Sequence, residues 1–199
     1  MDYITLEKEA SAEFIERKSI FTGYAAPVKT EEEAMNFIKR ISPNSVYAYY
    51  IDWGRIARYS DAGEPHGTAG LPVLEIMRKG GFTDAAIVVT RYFGGILLGA
   101  GGLVRAFSAA AKVAVDAAGI VTYTSYIEFN LTCTYAEHQR IKTDIVKYET
   151  IQDSIEYTDN VELKLAIKEE KFDEFAKRIS DLSAGRIKMI IIGKRFDKK

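Results

Sequence analysis

Two short stretches of this chain carry residue types capable of chemistry. In Ser60-Asp61-Ala62-Gly63-Glu64-Pro65-His66-Gly67-Thr68-Ala69-Gly70, two carboxylates and a histidine fall within six residues. Such a group could move protons or hold a metal, since carboxylates and imidazole do both. The segment also has a structural reading, because it is dense in turn formers and an aspartate in a turn commonly accepts hydrogen bonds from nearby backbone. No nucleophile, base and orienting group can be assembled around His66, so no catalytic residue is assigned. The candidate ligand contacts here are Asp61, Glu64, His66 and Thr68.

The second stretch is Arg91-Tyr92-Phe93-Gly94-Gly95-Ile96-Leu97-Leu98-Gly99-Ala100-Gly101-Gly102-Leu103-Val104-Arg105, which reads as a strand end, a glycine-rich turn and a helix start. Residues without Cβ let backbone amides approach an oxygen, and a helix N-terminus adds about half a positive charge, so the recipe can cradle an anion. It is neither the Walker pattern nor the dinucleotide fingerprint, since Gly99, Gly101 and Gly102 do not make GxGxxG and no Lys-Ser/Thr pair follows. The alternative is that the glycines permit close packing of strand on helix. A phosphate, free or part of RNA, would be met by Arg91, Tyr92, Gly94, Gly95, Gly99, Gly101, Gly102 and Arg105. Arg91 ends a buried strand and therefore needs a partner: either Asp61 or Glu64, tying the two stretches together, or the ligand itself. Elsewhere, Cys133 reads as a small buried hydrophobe and His138 as a surface residue at a helix start. Tyr47, Tyr49, Tyr50, Trp53 and Tyr59 are either core or, beside Arg55 and Arg58, a stacking surface for unpaired bases.

The elements that must position these residues follow from patterning. Ala12 to Val28 reads as extended, and Thr30 with Glu33 forms a capping box ahead of a helix near 31–42. Tyr47 to Trp53 and Ile56 to Tyr59 flank a turn at Asp52-Trp53-Gly54-Arg55. A short helix follows with Pro72 in its first turn and stops at Gly80-Gly81. Ala85 to Phe93 is a strand covered on both faces, and beyond the glycine loop from Gly94 to Gly102 the apolar stripe from Leu103 to Ala118 predicts a helix that packs closely through its alanines. The remainder repeats a different rhythm, with strand 124–134, helix 135–148, strands 151–157 and 161–167, helix 170–183 and strand 186–195. This is the order βαββαβ of the ferredoxin-like split unit. A domain boundary is therefore expected near Val121 to Tyr126, giving residues 1–122 and 123–199.

Composition bounds the function. With 199 residues, 47% hydrophobic and 28% charged, the chain has apolar surface enough for compact cores. Its net charge of -1 excludes a protein held to nucleic acid by bulk charge, so any RNA site is a local patch. Arg186, Lys188, Lys194, Arg195, Lys198 and Lys199 against Asp197 make the last strand and tail one such patch. A single cysteine rules out an internal disulfide, and with two histidines it makes a Cys/His zinc site improbable. Eight charged residues among the first twenty leave no room for a signal peptide, and the longest stretch without charge, Tyr92 to Val104, is too short to span a bilayer. A cytoplasmic protein without membrane contact, metal or cofactor is expected.

The two stretches together closely resemble the signature of the Impact/YigZ family, whose members share an S-D-x-G-E-P-x-G-T-A-G loop and an R-Y-[FY]-G-G-x-x-L-G-x-G-G-L-[VI]-[RK]-A-[YF] run. Two departures stand out: Lys18-Ser19-Ile20-Phe21 where many members have Lys-Ser-Arg-Phe, and Asn44-Ser45-Val46 where they have His-x-Cys. Roles of that arginine, histidine or cysteine do not carry over. The resemblance implies an α+β chain: an N-terminal domain like the second domain of small-subunit ribosomal protein five and domain IV of elongation factor G, then a ferredoxin-like domain as in that factor. Both analogues meet RNA or ribosome. Eukaryotic members regulate translation by competing for the activator of a stress kinase and carry an extra N-terminal interaction domain, which this chain is not expected to have, so that role does not transfer. The resulting expectation is a translation-associated protein that binds RNA or the ribosome without catalysis. Its rivals are a protein-interaction module without nucleic acid and an enzyme or binder of a small phosphorylated or nucleotide ligand.

Overall fold

The computed structural model describes residues 2–198, which divide into two compact units, one of Ile4–Thr122 and the other running from Tyr123 with Asp2 and Tyr3. The elements of the first region are β1 (Tyr3–Leu6), β2 (Ala10–Glu16), β3 (Ser19–Pro27), α1 (Glu31–Ile41), β4 (Val46–Ile51), a 3-10 turn (Asp52–Gly54), β5 (Ile56–Ser60), α2 (Gly70–Gly80), β6 (Ala85–Tyr92) and α3 (Gly99–Ala118). Strands β2 to β6 form a sheet in the order β2-β3-β6-β4-β5, with every neighbouring pair antiparallel, and β1 is not part of it. Local chemistry accounts for the helix ends. The Thr30 hydroxyl accepts the Glu33 amide at 3.1 Å to start α1, and Gly81 takes φ +67° to end α2, a conformation that only glycine adopts without strain.

Strand β6 alternates its side chains between two cores. Ala85, Ile87 and Val89 join Phe21, Leu74, Met77 and Phe107 beneath α2 and α3, whereas Ala86 and Val88 join Phe37, Ile38 and Tyr49 beneath α1. Burial on both faces is why this strand is an unbroken apolar run instead of an alternating one. The alanine stripe of α3 works as its size implies. A Cβ on Gly23 of β3 would sit 2.3 Å from the Ala110 carbonyl oxygen, so strand and helix backbones are nearly in contact. The helix is longer than its stripe predicted, because Gly99, Gly101 and Gly102 form its first turn and do not belong to the preceding loop.

The second region contains β7 (Ile120–Cys133), α4 (Tyr135–Lys147), β8 (Ile151–Tyr157), β9 (Val161–Lys168), α5 (Glu169–Ser183) and β10 (Lys188–Lys198). Its strands lie β10-β7-β9-β8, all antiparallel, which is the ferredoxin-like arrangement of a βαββαβ chain. Phe129, Leu131, Leu163 and Leu165 face Ile141, Phe175 and Ile179 of the helices in one core. Cys133 is buried there, and burial pushes its thiol up to about 11.

Two readings of this region are corrected. His138 is buried rather than on the surface, with its ring edge-on to Tyr157. The reason is periodic: His138, Ile141 and Ile145 share one buried stripe of α4. Burial, with Lys142 nearby, keeps its imidazole below the usual histidine range. Nor is the last strand a free basic patch. Arg186 bonds Glu137 at 3.0 Å, Lys194 bonds Glu169, and Arg195 reaches Asp153 and Asp197, each at 2.8 Å. Carboxylates already occupy these cations.

Candidate functional site

Register brings the two chemically suggestive stretches to one end of the N-terminal sheet. Strands β5 and β6 both run antiparallel to β4, so both end on the same side, where Ser60 opens the Asp61 loop and Tyr92 opens the glycine loop. The β2–β3 turn lies there too, since Ile20 of β3 is opposite Tyr92. That turn is Arg17-Lys18, two exposed residues with φ of +46° and +67°. Side chains with a Cβ adopt this left-handed geometry at a cost of roughly 1 kcal/mol or more per residue, so the turn is held by its surroundings. Gly94 supplies them. Its amide donates to Ser19 Oγ at 3.2 Å, and a Cβ on it would sit 2.1 Å from the Lys18 carbonyl carbon and oxygen. Gly94→Ala is therefore expected to separate the loop from the turn and lower stability by about 1–3 kcal/mol, measured by thermal or denaturant unfolding. An unchanged melting curve would contradict this packing.

Within the Asp61 loop the aspartate acts on backbone. Its Oδ1 accepts the amides of Ala69 at 3.1 Å and Gly70 at 2.8 Å, and its Oδ2 accepts that of Gly67 at 2.8 Å. Gly70 begins α2 and Ala69 is its cap residue without a side-chain bond of its own, so Asp61 caps this helix from nine residues upstream. Burial alone would push the Asp61 carboxyl up, but the three amide bonds outweigh it and hold the group below the usual aspartate range. Thr68 is likewise turned inward, its hydroxyl donating to the Pro65 carbonyl at 2.6 Å. His66 is almost fully exposed, its Nδ1 3.8 Å from Asp61.

Glu64 joins the loops. Its two carboxylate oxygens accept from Arg91 Nη1 at 2.8 and 3.0 Å, and both side chains are less than one-fifth exposed. Of the partners open to Arg91, the structure selects Glu64, not Asp61. The guanidinium carbon also lies 5.5 Å from the ring centre of buried Phe21 and 5.4 Å from that of Phe93, so the cation is within cation–π reach of two aromatic rings. Its Nε is buried without an acceptor among the described residues.

The rest of the glycine stretch faces outward. Tyr92 is 70% exposed, Phe93 49% and Leu97 81%. No side chain caps α3 at Leu98, and Gly99 takes φ +70° with open space where a Cβ would be. Gly95 is similarly open, Gly101 has only Arg105 Nη1 nearby at 3.8 Å, and Gly102 packs on Leu98. Arg105 is exposed, and neither it nor Lys18 has a carboxylate partner among the described residues. The sequence candidates thus divide. Asp61, Glu64, Thr68, Arg91, Gly94 and Gly102 build the site, whereas His66, Tyr92, Gly95, Gly99, Gly101 and Arg105 present surface. Arg17, Lys18 and Phe93, not among those candidates, belong to the same end of the sheet, with Arg17 Nε 3.8 Å from Glu16. The hairpin aromatics are not one surface: Tyr49 is buried against α1, its hydroxyl bonded to Glu31 and pushed up to about 12 by burial and that carboxylate, while Trp53 and Tyr59 are partly exposed.

A two-domain α+β chain with a ferredoxin-like second unit, and with two linked loops at one end of its first sheet, defines a narrow class of protein. The family model for the Impact N-terminal domain matches residues 17–115, and a second, described as a domain of unknown function (DUF1949), matches residues 131–186. The chain is 32% identical over 191 residues to the IMPACT family member YvyE of Bacillus subtilis, covering 92% of this chain and 88% of that one. It is 34% identical over 134 residues to the IMPACT family member YigZ of Escherichia coli, covering 67% and 66%. A crystal structure described as that of a hypothetical protein superposes with a TM-score of 0.58 at 27% identity, covering 96% of this chain and 98% of that one. The chain belongs to the IMPACT family. Among the described residues no helix is long and apolar enough to cross a membrane, and no group of three or more His, Cys, Asp or Glu side chains gathers as metal ligands.

Proposed function

We propose that this protein binds RNA or the ribosome and modulates translation, and that it does so through the loop end of its N-terminal sheet. One observation carries the reading: Lys18 and Arg105, without a carboxylate partner among the described residues, belong to the same loop end as exposed Tyr92 and Phe93 and the uncapped start of α3, while Asp61 and Glu64 are spent on backbone amides and Arg91 and Arg17 is paired with Glu16. Cations, free helix amides and aromatic rings are the groups that meet phosphates and bases. Of the groups an enzyme of the same loops would use for acid and base work, Asp61 and Glu64 are already engaged and His66 is exposed.

The test is binding of labelled structured RNA and of purified ribosomes to the full chain at several salt concentrations. Binding is expected at low salt and should weaken steeply as salt rises. Charge removal in Lys18→Gln/Arg105→Gln should flatten that dependence by roughly one log unit per lost phosphate contact. Absence of binding to both RNA and ribosomes in low salt would remove the proposal. A protein-interaction role is favoured by one other observation, the apolar tip at Leu97 and Ile96. It is distinguished by a partner whose binding survives nuclease and high salt.

A further inference from the structure

We infer that the ring of Phe93 is a stacking platform for an unpaired base, so that the ligand of the loop end is single-stranded RNA or a splayed-out nucleotide and not a closed duplex. This rests on the RNA reading above and narrows it.

The argument begins with what fixes Phe93. It follows the last residue of β6 and lies in a loop, where a half-exposed aromatic would ordinarily be mobile. Here the Arg91 guanidinium lies over its ring at 5.4 Å, and that guanidinium is itself held by two hydrogen bonds to Glu64 and by the buried ring of Phe21. Phe21 is fully buried in the core, edge-on to Phe107. The paired guanidinium, held near the core ring of Phe21, therefore gives the Phe93 ring a fixed neighbour while leaving it 49% exposed. A ring anchored in advance loses little freedom on binding, which is the condition under which stacking yields affinity.

The chemistry around it selects the ligand. Gly94, the next residue, lies against the Lys18 carbonyl, so the charged turn adjoins the platform, and the uncapped start of α3 follows at Gly99, with Arg105 in its second turn. An aromatic face beside cations suits a base and the phosphates on either side of it. In a duplex both faces of every base are covered by neighbours, so an anchored ring has nothing to stack on.

The experiment compares a short oligoadenylate with its duplex to oligouridylate, using the full chain and the variants Phe93→Leu, Phe93→Ala and Phe93→Trp. Wild type is expected to prefer the single strand. Phe93→Leu keeps apolar bulk over Arg91 and should melt nearly as wild type does, yet bind the oligoadenylate about tenfold more weakly, as should Phe93→Ala. Phe93→Trp should bind at least as well as wild type. If Phe93→Leu and Phe93→Trp bind oligoadenylate alike, or if wild type prefers the duplex, the platform is refuted while RNA binding stands. If wild type binds neither oligoadenylate, duplex nor ribosomes, the broader reading fails and this inference with it.

Discussion

Arg91→Ala is expected to lower the melting temperature of the N-terminal unit by on the order of 10 °C, and to weaken RNA binding with it. Removing one partner of an ion pair strands the other, and here the stranded group is the Glu64 carboxylate, which loses both of its short hydrogen bonds. Breaking such a pair when fully buried costs about 3–5 kcal/mol, but both side chains retain some exposure, which places the cost at about 3 kcal/mol. Loss of the cation near the Phe21 and Phe93 rings adds to it. Arg91→Lys should rescue little, since an ammonium lacks the flat, delocalised guanidinium that serves Glu64 and two aromatic rings at once. Glu64→Gln keeps an oxygen for Nη1 and should fall between the two. Unchanged melting of Arg91→Ala with weakened binding would mean that the guanidinium serves a ligand, and the signature loops would then be joined by something other than this pair.

That pair also shows what the sequence could and could not disclose. A buried strand end occupied by an arginine demanded a partner, and the chemistry narrowed it to two carboxylates. Choosing between them needed the register that sets Glu64 against a residue 27 positions away. Elements with local signals were legible: α1 from its capping box, β6 from its run of β-branched residues, the βαββαβ order from alternating periodicities. The Arg17-Lys18 turn was not, because tight hairpin turns announce themselves through Gly, Asn or Asp, and here two cations are pressed into left-handed geometry by contacts with Gly94. Phe93 was passed over for the same cause, as its clamp is assembled from three separate parts of the chain. The basic tail misled because its carboxylate partners, Glu137, Asp153 and Glu169, come from α4, β8 and α5.

Asp61→Ala is expected to be more damaging still, because a single carboxylate satisfies three amides and caps α2. The substitution leaves the amides of Gly67, Ala69 and Gly70 without acceptors, in a loop where water replaces only part of what is lost. At about 1–3 kcal/mol for each group left unsatisfied and roughly 1 kcal/mol for a lost helix cap, the expected loss is about 4 kcal/mol. Asp61→Asn separates charge from geometry. Its one carbonyl can keep Ala69 and Gly70, but its amide group then faces the Gly67 N–H, donor against donor, so an intermediate loss is expected. The pH dependence has a definite sign. Because the folded carboxyl titrates below its ordinary value of 3.8, the unfolded chain binds the proton more readily. The stabilisation is therefore complete well above that value and is lost as the pH falls through the lower folded pKa. Unfolding of wild type and Asp61→Asn by denaturant should differ most near neutrality and converge in acid, where wild type gives up the charge that the variant never had. A gap that stayed constant down to strongly acid pH would show that the carboxylate's charge contributes nothing and that its oxygens act by position alone.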